Sequence, residues 1–310
     1  MRYDKKKNFP EKGGAAMAAA DKRGYLWEDF RLFHLKDSRA QTLREHYHEF
    51  DKLVLCLSGH VTYTVEGVTY FLQPWDMLLV GHGLIHRVEI DPSEPYERVV
   101  IWLGRDWLDR LSTPEVPLSS CFDLAARRNF HLLRFDPQQR LSYMRHLQSL
   151  EDALHSREFG SRLMAETLCQ QLLILLNRDL LRDNTAQQPD AWQADPKIEE
   201  VLRYIAGHLA EPLDVDTLAR RVFLSRYYLM HRFKAVTGYT LHQYVTQKRL
   251  LQAGELIRSG EPVMKAAEQA GFQDYSTFLR SFRATFHTSP REFYGQNEKR
   301  DDPSASTDID

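Results

Sequence analysis

The stretch Ser225-Arg-Tyr-Tyr-Leu-Met-His-Arg-Phe-Lys234 decides the fold of the last third of this chain, because its pattern returns as Asp274-Tyr-Ser-Thr-Phe-Leu-Arg-Ser-Phe-Arg283. Matched positions lie 49 residues apart throughout both stretches. Upstream of them the offset is 48, since Ala219 matches Ala267, and one copy therefore has a turn that is one residue longer. The repeat predicts a duplicated helix-turn-helix, which is hard to explain except as a reader of DNA with two contact points.

Each copy carries the signals of a short helix, a tight turn and a second helix. Asp216 or Thr217 is expected to cap the first short helix, and Ser225 is expected to cap the helix that follows. Gly238 then provides a left-handed stop. In the second copy, Asp274 is the expected cap of the equivalent helix.

The second helix of each copy has an apolar face and an outward polar face. Helical spacing places Leu229 with Phe233 on one apolar face and Phe278 with Phe282 on the other. A helix about 10–12 Å across fits the major groove of DNA, so its outward side chains can reach bases and phosphates. The residues predicted to contact DNA are Ser225, Arg226, Tyr227, Met230, His231, Lys234, Asp274, Tyr275, Ser276, Leu279, Arg280 and Arg283. The alternative, that these are solvated faces of ordinary amphipathic helices, is weakened by the presence of two matched copies.

Different roles are expected along these outward faces. Arg280 suits a guanine edge, and His231 can serve similarly, whereas Lys234 and Arg283 suit phosphates, which position a protein rather than specify a sequence. Between the two copies, residues 241–257 read as a helix of roughly 25 Å. A spacer of that length can hold the two reading helices near one DNA turn apart, which is about 34 Å.

A pattern of residues at regular spacing runs through residues 197–295. They include Leu218-Ala219, Ser225-x-x-Tyr228-Leu229-x-x-x-Phe233-Lys234-x-x-Thr237-Gly238, Gly271-Phe272-x-Asp274, Phe282-Arg283 and Ser289-Pro290. This pattern resembles the DNA-binding domain of the AraC/XylS family of bacterial transcription regulators. The resemblance implies sequence-specific binding of double-stranded DNA and regulation of transcription, with RNA polymerase as a further partner, and the sequence leaves open whether the chain is an activator or a repressor. It also assigns base contacts to Tyr227, Met230 and His231, and to Tyr275, Ser276, Leu279 and Arg280. The chain departs from the family at His287, where glycine is usual.

Composition fits such a protein. The chain has 310 residues, enough for two domains with their own cores. Residues 197–295 carry 14 lysines and arginines against 10 aspartates and glutamates, so this segment is net +4 in a chain of net −2. Cys56, Cys121 and Cys169 have neither disulfide nor zinc spacing, which favours a reducing cytoplasm. The sequence shows no signal peptide and no apolar run of about 20 residues, so no membrane association is expected.

The N-terminal half has the rhythm of short strands separated by turns. The predicted strands are 53–57, 60–65, 69–72, 77–80, 86–90 and 98–103. Closely spaced antiparallel strands favour a barrel or sandwich. The arrangement His46-x-His48, then Gly59, Gly67, Pro74 and His86, resembles the cupin double-stranded β-helix, which is also the usual sensor domain of sugar-responsive AraC-family members.

A small polar effector, such as a sugar, is expected in this domain. The predicted effector-binding residues are His46, His48, Tyr63, Trp75, His86 and Trp102, and His82 was a further candidate for the lining. Two alternatives remain open: the aromatic residues could be ordinary core, and the histidines could bind a metal ion. Because the carboxylate spacing of metal-dependent cupin enzymes is absent, the sequence favours no metal, no cofactor and no enzymatic activity. A metal-dependent cupin enzyme fused to a DNA-binding domain is the alternative function.

A helical pair follows the predicted barrel. Asp136-Pro137 starts it, a break comes near Gly160, and leucines recur at helical spacing on both sides. These leucines could merely cover the barrel, but in the resembling regulators an equivalent region mediates dimerisation, so a homodimer is favoured. The predicted organisation is a disordered N-terminus (1–23), a cupin-like effector domain (24–135), a helical dimerisation region (136–182), a linker (183–196), an all-α double helix-turn-helix domain (197–295) and a disordered tail (296–310).

Overall fold

A computed structural model describes residues 26, 28–38, 41–182, 192–286 and 288–292. The chain divides into two compact units, Met1–Gln193 and Ala194–Asp310. The predicted disordered ends, His287 and residues 183–191 of the predicted linker lie outside the described residues. None of the described helices combines the length and the apolar character needed to cross a membrane.

The described part of the N-terminal unit contains two antiparallel sheets. Their strand orders are β1-β8-β3-β6-β9 and β10-β5-β4-β7-β2, so consecutive strands pass repeatedly from one sheet to the other. The strands are β1 Phe30–Asp37, β2 Gln41–His46, β3 Phe50–Ser58, β4 His60–Val65, β5 Val68–Leu72, β6 Asp76–Val80, β7 His86–Asp91, β8 Tyr96–Gly104, β9 Leu132–Arg134 and β10 Trp192–Gln193. The predicted β-rich N-terminal fold is therefore confirmed.

The six strands expected from the sequence correspond to β3 through β8, within a few residues at each end. Four strands were missed. β1 pairs with β8 over its full length, from Phe30 opposite Leu103 to Asp37 opposite Tyr96. β10 pairs with β5, with Trp192 opposite Tyr70, so the end of the segment expected to be a linker is a strand of the N-terminal unit.

Four helices complete the described N-terminal unit: α1 Arg105–Leu111, α2 Ser120–Arg128, α3 Pro137–His155 and α4 Ser161–Arg182. Asp136 caps α3 through a capping box with Gln139, as the Asp-Pro start suggested. Leu147 and Leu172 from the predicted helical pair join a buried cluster with Leu53 and Ile101 of the first sheet. Most of the leucine pattern is thus explained by helices that cover the sheet.

A smaller set of apolar side chains in this region remains on the surface. Leu154, Leu163 and Met164 are exposed around the junction of α3 and α4, and Phe159 in the junction is fully exposed. An apolar patch at the end of a helical pair differs from the scattered single apolar residues of an ordinary surface.

The described C-terminal unit is all helical. Its helices are α5 Pro196–Gly207, α6 Val215–Arg221, α7 Arg226–Thr237, α8 Leu241–Arg258, α9 Val263–Gln269 and α10 Tyr275–Phe286. The core contains the predicted Leu229, Phe233, Phe278 and Phe282, each fully buried. The predicted double helix-turn-helix is confirmed, with α6 and α7 as one copy, α9 and α10 as the other, and α8 as the spacer of about 27 Å.

Candidate DNA interface and ligand pocket

The two helix-turn-helix turns are built in the same way. In the first, the amide of Leu224 donates to the carbonyl of Ala219 at 3.0 Å. In the second, the amide of Phe272 donates to the carbonyl of Ala267, also at 3.0 Å. These bonds run from a residue to the carbonyl five positions earlier, as in the Schellman motif that ends a helix on one left-handed residue.

That left-handed residue differs between the copies. It is Gly271 in the second turn, with φ of 93°, and Phe223 in the first, with φ of 54°. Glycine adopts this conformation without steric cost, whereas phenylalanine does not. The Phe223 side chain is 91% exposed, so burial of its ring does not compensate for the backbone strain. The sequence pattern did not identify Phe223 as the left-handed residue of the first turn, although the 48-residue offset aligns it with Gly271.

The caps of the second helices also correspond. The Ser225 hydroxyl accepts a hydrogen bond from the amide of Tyr228, and the Asp274 carboxylate accepts one from the amide of Thr277. Both caps were expected from the sequence. The cap of α6 was not: Asp214 accepts from the amide of Thr217, so the helix starts earlier than the Asp216 or Thr217 cap would allow.

We call α7 and α10 the reading helices. The side chains predicted to contact DNA lie on their outward faces: Ser225, Arg226, Tyr227, Met230, His231, Lys234, Asp274, Tyr275, Ser276, Arg280 and Arg283 are exposed, and Leu279 is half-buried. Because the two helices are 49 residues apart in register, His231 and Arg280 occupy equivalent positions, as do Lys234 and Arg283.

Two arginines of the first copy are engaged within the unit. Arg226 donates through Nη1 to Asp216 Oδ2 at 3.0 Å and joins the start of α7 to α6. Arg232 donates to Asp195, the cap of α5, and to the hydroxyl of Tyr228. Arg226 therefore braces the first turn in addition to its predicted place at the DNA, and Arg232 fixes α7 against α5.

The second copy is anchored from the spacer helix. Arg249 of α8 donates through Nε to the carbonyl of Leu209 at 2.9 Å and through Nη2 to that of Glu211 at 2.7 Å. Gly271 packs against the same place, because a Cβ there would collide with the Leu209 carbonyl oxygen and lie 2.9 Å from Arg249 Nε. The turn before α10 is thus held against the loop that follows α5.

In the N-terminal unit the structure brings together most of the predicted effector residues. His46 ends β2 directly opposite His86 of β7, and their ring centroids are 4.3 Å apart. The His48 ring stacks on Phe50, with centroids 4.5 Å apart, and the Trp102 ring lies 6.2 Å from it. His48 lies just beyond β2 rather than within it, so the two histidines meet through the loop and not through strand alternation alone.

Further residues on the same sheet faces extend this cluster. Tyr63 is buried opposite Val88, one same-face step from the pair of Val65 and His86. The Lys52 Nζ atom of the other sheet lies 6.0 Å from the Tyr63 ring centroid. We call His46, His48, Tyr63, His86 and Trp102 the pocket residues. The Trp102 indole nitrogen is buried and has no hydrogen-bond partner among the described residues, so it is an unsatisfied hydrogen-bond donor.

Burial sets the charge state of the pocket. It lowers the pKa of both His48 and His86 well below 6.5, and the positive charge of Lys52 adds to the effect. Both imidazoles are therefore neutral at pH 7. Burial raises the pKa of Tyr63, so its phenol stays protonated.

Trp75 and His82 are not part of this pocket. Trp75 packs against the buried cluster between the first sheet and the helices, which lies on the opposite face of that sheet. Its φ of 75° marks a tight turn before β6 that sends the ring to this side. His82 donates its backbone amide to the fully buried Asp51 at 2.8 Å, and Arg105 Nη1 approaches the same carboxylate at 3.4 Å. The expectation that these two residues line the same site as the histidines is therefore corrected: Trp75 packs in the core between the first sheet and the helices, and His82 hydrogen-bonds Asp51.

Comparison with known proteins agrees with both halves of this description. The family model of an AraC-like ligand binding domain matches residues 32–173, and that of a helix-turn-helix domain matches residues 218–296. Regulatory protein SoxS of Escherichia coli strain K12 is 34% identical over 97 residues, which are 31% of this chain and 91% of SoxS. The chain belongs to the AraC family of transcriptional regulators.

Relatives with both domains also match. HTH-type transcriptional activator RhaS of Salmonella dublin is 27% identical over 257 residues, which are 80% of this chain and 86% of RhaS. Among solved structures, the DNA-binding domain of AdpA, a global transcriptional factor in complex with a target DNA, has 31% sequence identity and a TM-score of 0.33, covering 35% of this chain and 97% of that one.

Each matched region lies within one of the two units: the ligand-binding match in the N-terminal unit and the helix-turn-helix match in the C-terminal unit. The ligand-binding match runs from β1 into α4 and contains every pocket residue. The helix-turn-helix match contains both reading helices and both left-handed turns. This AraC-family regulator therefore carries a ligand-binding domain and a DNA-binding domain in one chain.

Proposed function

We propose that this regulator reads two successive major-groove segments of double-stranded DNA, one with each reading helix. The observation that carries the proposal is the repeated turn: the same Schellman bond and the same type of cap orient α7 and α10, and the outward side chains of both are exposed. Identical construction at both ends of one spacer helix is expected where both helices perform the same task.

The residues take roles according to their chemistry. Arg280, and His231 at the equivalent position, contact base edges, and Tyr227, Met230, Tyr275, Ser276 and Leu279 complete the two reading surfaces. Lys234, Arg283 and Arg226 contact phosphates, while Ser225 and Asp274 cap the two reading helices at the DNA surface. Because phosphate contacts release counterions, the binding constant should fall steeply as salt is added.

The effector, on this proposal, is a small polar molecule, and a sugar fits the pocket best. Trp102 and Tyr63 offer aromatic surface and hydrogen-bonding groups, and the neutral His48 and His86 can accept or donate hydrogen bonds without a charged partner. A sugar presents apolar C–H faces and hydroxyls to such a site. Effector binding must favour one arrangement of the protein over another to act as a switch.

We propose a homodimer joined through the exposed patch at the α3–α4 junction, residues Leu154, Phe159, Leu163 and Met164. The patch is apolar and lies outside the core that α3 and α4 share with the first sheet. Two relatives, RhaS and RhaR, are named transcriptional activators, so the proposed output is activation, with RNA polymerase as a partner. The cysteines are free and buried, which fits action in a reducing cytoplasm.

The test uses the two units' separate optical signals. All five tryptophans precede residue 194, so tryptophan fluorescence follows unfolding of the N-terminal unit only. A panel of sugars should contain at least one compound that raises its melting temperature, because a ligand bound only by the folded state stabilises it. That compound should also change DNA affinity, measured by fluorescence anisotropy. Stabilisation without any change in DNA binding would contradict effector control.

A further inference from the structure

Three histidines converge in the ligand-binding domain. His46, His48 and His86 each offer one ring nitrogen, and these nitrogens all lie within 4.8 Å of one another. The ring centroids are separated by 4.3 to 5.1 Å. Two strands and the loop between β2 and β3 supply them, so the cluster is a product of the fold and not of one local stretch.

The orientation of His86 is fixed by its neighbour. Its Nδ1 lies 3.0 Å from the carbonyl oxygen of Leu84. A carbonyl can only accept, so Nδ1 carries the proton and Nε2 carries the lone pair. Nε2 is buried without a hydrogen-bond partner, and His86 is only 1% exposed. A backbone carbonyl that holds one ring nitrogen and leaves the other free to coordinate is the usual outer support of a metal-bound histidine.

His48 repeats the same feature. Its Nδ1 is also buried without a hydrogen-bond partner. Leaving a buried polar atom unpaired is energetically costly, and here two such atoms belong to one cluster in which a metal ion would pair both.

We propose that His46, His48 and His86 bind one divalent first-row transition metal ion, with Zn²⁺ as the reference ion. Imidazole donors suit zinc, iron, nickel and copper rather than magnesium or calcium. Nitrogens bound to zinc lie about 2.0–2.1 Å from the ion. The nearby Lys52 opposes a cation, so the affinity should lie below that of a site with a carboxylate ligand.

Three protein ligands leave at least one coordination position open. The Trp102 ring lies 6.2 Å from the His48 ring, so an effector bound beside Trp102 would have an oxygen within reach of the open position. The metal site concerns the N-terminal unit alone and goes beyond the proposed DNA reading, so it can hold or fail independently of DNA binding. It also reverses the expectation from the sequence, which favoured histidines without a metal.

The first test is titration of the full-length protein with Co²⁺, after removal of any affinity tag and of bound metal with a chelator. We expect one Co²⁺ per chain with visible d–d absorption, and loss of that absorption when Zn²⁺ is added. His46→Ala and His48→Ala should each weaken binding by at least about 100-fold, whereas His60→Ala, an exposed histidine on β4, should leave it unchanged. Tryptophan fluorescence melting reports whether each variant is folded.

X-ray absorption of the Zn²⁺-loaded wild-type protein provides a measurement that needs no substitution. Three imidazole ligands in the first coordination shell are expected. The proposal is overturned if wild-type protein takes up no stoichiometric metal, if the bound ion has fewer than three imidazole ligands, or if binding persists unchanged in a folded His46→Ala or His48→Ala variant.

Discussion

Phe223 and Gly271 occupy the same left-handed position in two copies of one turn, with φ of 54° and 93°. Each turn is closed by the same bond from the following amide to the carbonyl five residues earlier. The duplication therefore preserves backbone geometry even where the residue type changes. The second copy uses the residue that the geometry favours, and the first keeps a strained, exposed aromatic at the head of a reading helix.

The first prediction concerns Gly271. Gly271→Ala should lower the free energy of unfolding of the C-terminal unit by at least about 2 kcal/mol, because left-handed strain adds to overpacking against Leu209 and Arg249. Gly260→Ala is the matched control: Gly260 has φ of 94°, but a Cβ there would meet nothing within 4 Å. Its cost should stay near 1 kcal/mol, from strain alone. Denaturation followed by circular dichroism, with tryptophan fluorescence marking the other unit, measures both. Equal losses would show that the close packing of Gly271 is unimportant.

The second prediction concerns Phe223. Phe223→Asn should raise the free energy of unfolding by about 0.5–1 kcal/mol, because asparagine accepts the left-handed conformation more readily. Phe223→Ala keeps the strain and removes only an exposed ring, so its stability should match the wild type. The same denaturation experiment compares them. If Asn and Ala behave alike, the strain assigned to this position is absent.

The third prediction separates base reading from phosphate binding. Arg280→Ala should relax specificity at one base position by about 1–3 kcal/mol, because a lost bidentate contact affects only its own base pair. Lys234→Ala should weaken binding to all duplexes similarly and reduce the salt slope by about 1. Arg203→Ala, on the exposed face of α5 where it pairs with Glu199, is the control and should change neither. Fluorescence anisotropy titrations on single-base variants of the DNA site measure these affinities. If Arg280→Ala loses the same affinity for every variant, Arg280 does not read a base.

The fourth prediction tests the proposed dimer surface. Leu163 is 67% exposed beside Met164 and Phe159. Leu163→Glu should therefore leave the fold intact and weaken self-association at least about tenfold, because a charge is placed in an apolar interface. Val116→Glu, at a residue 53% exposed outside the patch, should have no effect. Sedimentation velocity across a concentration series measures the masses. An unchanged dimer in Leu163→Glu would place the interface elsewhere.

The fifth prediction is a pH dependence of the N-terminal unit. His34 Nδ1 contacts Glu151 of α3 at 3.2 Å, and Nε2 contacts Glu97 of β8 at 3.1 Å. The hydrogen bond to Glu151, although opposed by burial, raises the pKa of His34 above 6.5, so its contribution is complete below pH 6.5 and is lost as pH rises through the raised pKa. The pKa of Glu97 is lowered from 4.5, chiefly by its hydrogen bond to Lys36, so its contribution is present above pH 4.5 and is lost as pH falls through the lowered pKa.

The stability that the N-terminal unit gains from the contacts of His34 with Glu97 and Glu151 should therefore be greatest between pH 4.5 and 6.5. His34→Gln should flatten the decline above pH 6.5, measured by denaturation followed by tryptophan fluorescence. His60→Gln, at an exposed histidine whose Nδ1 lies 3.3 Å from the hydroxyl of Ser93, serves as control. A decline that persists unchanged in His34→Gln would assign it to other groups.

The repeat explains why the C-terminal unit could be predicted so fully from sequence. Caps at Ser225 and Asp274, the buried phenylalanines and the outward faces all follow from local spacing, and the second copy confirms each assignment. The left-handed Phe223 could not be predicted from its own chemistry, since phenylalanine does not favour that conformation. Only alignment with Gly271 reveals it.

In the N-terminal unit, the local sequence pattern predicted most strands, but it did not predict which strands pair or on which face of the sheet each side chain lies. β1 mixes apolar and polar residues without strict alternation, and its strand depends on pairing with β8. β9 is only three residues long, too short for a periodic signal. Trp75 was assigned to the pocket because aromatic residues suit a ligand, yet its side is set by the backbone turn before β6. His46 and His86 meet because they lie directly opposite each other in β2 and β7, whereas His48 joins them through the loop after β2.

The most direct test of the central claim is selection of bound duplexes from a random DNA pool by the full-length protein, followed by sequencing. The account predicts two short motifs about one helical turn apart for each chain. His231→Ala should relax only one of the motifs, and Arg280→Ala only the other. A single enriched motif, or two motifs that both variants relax equally, would contradict a reader built from two equivalent helices.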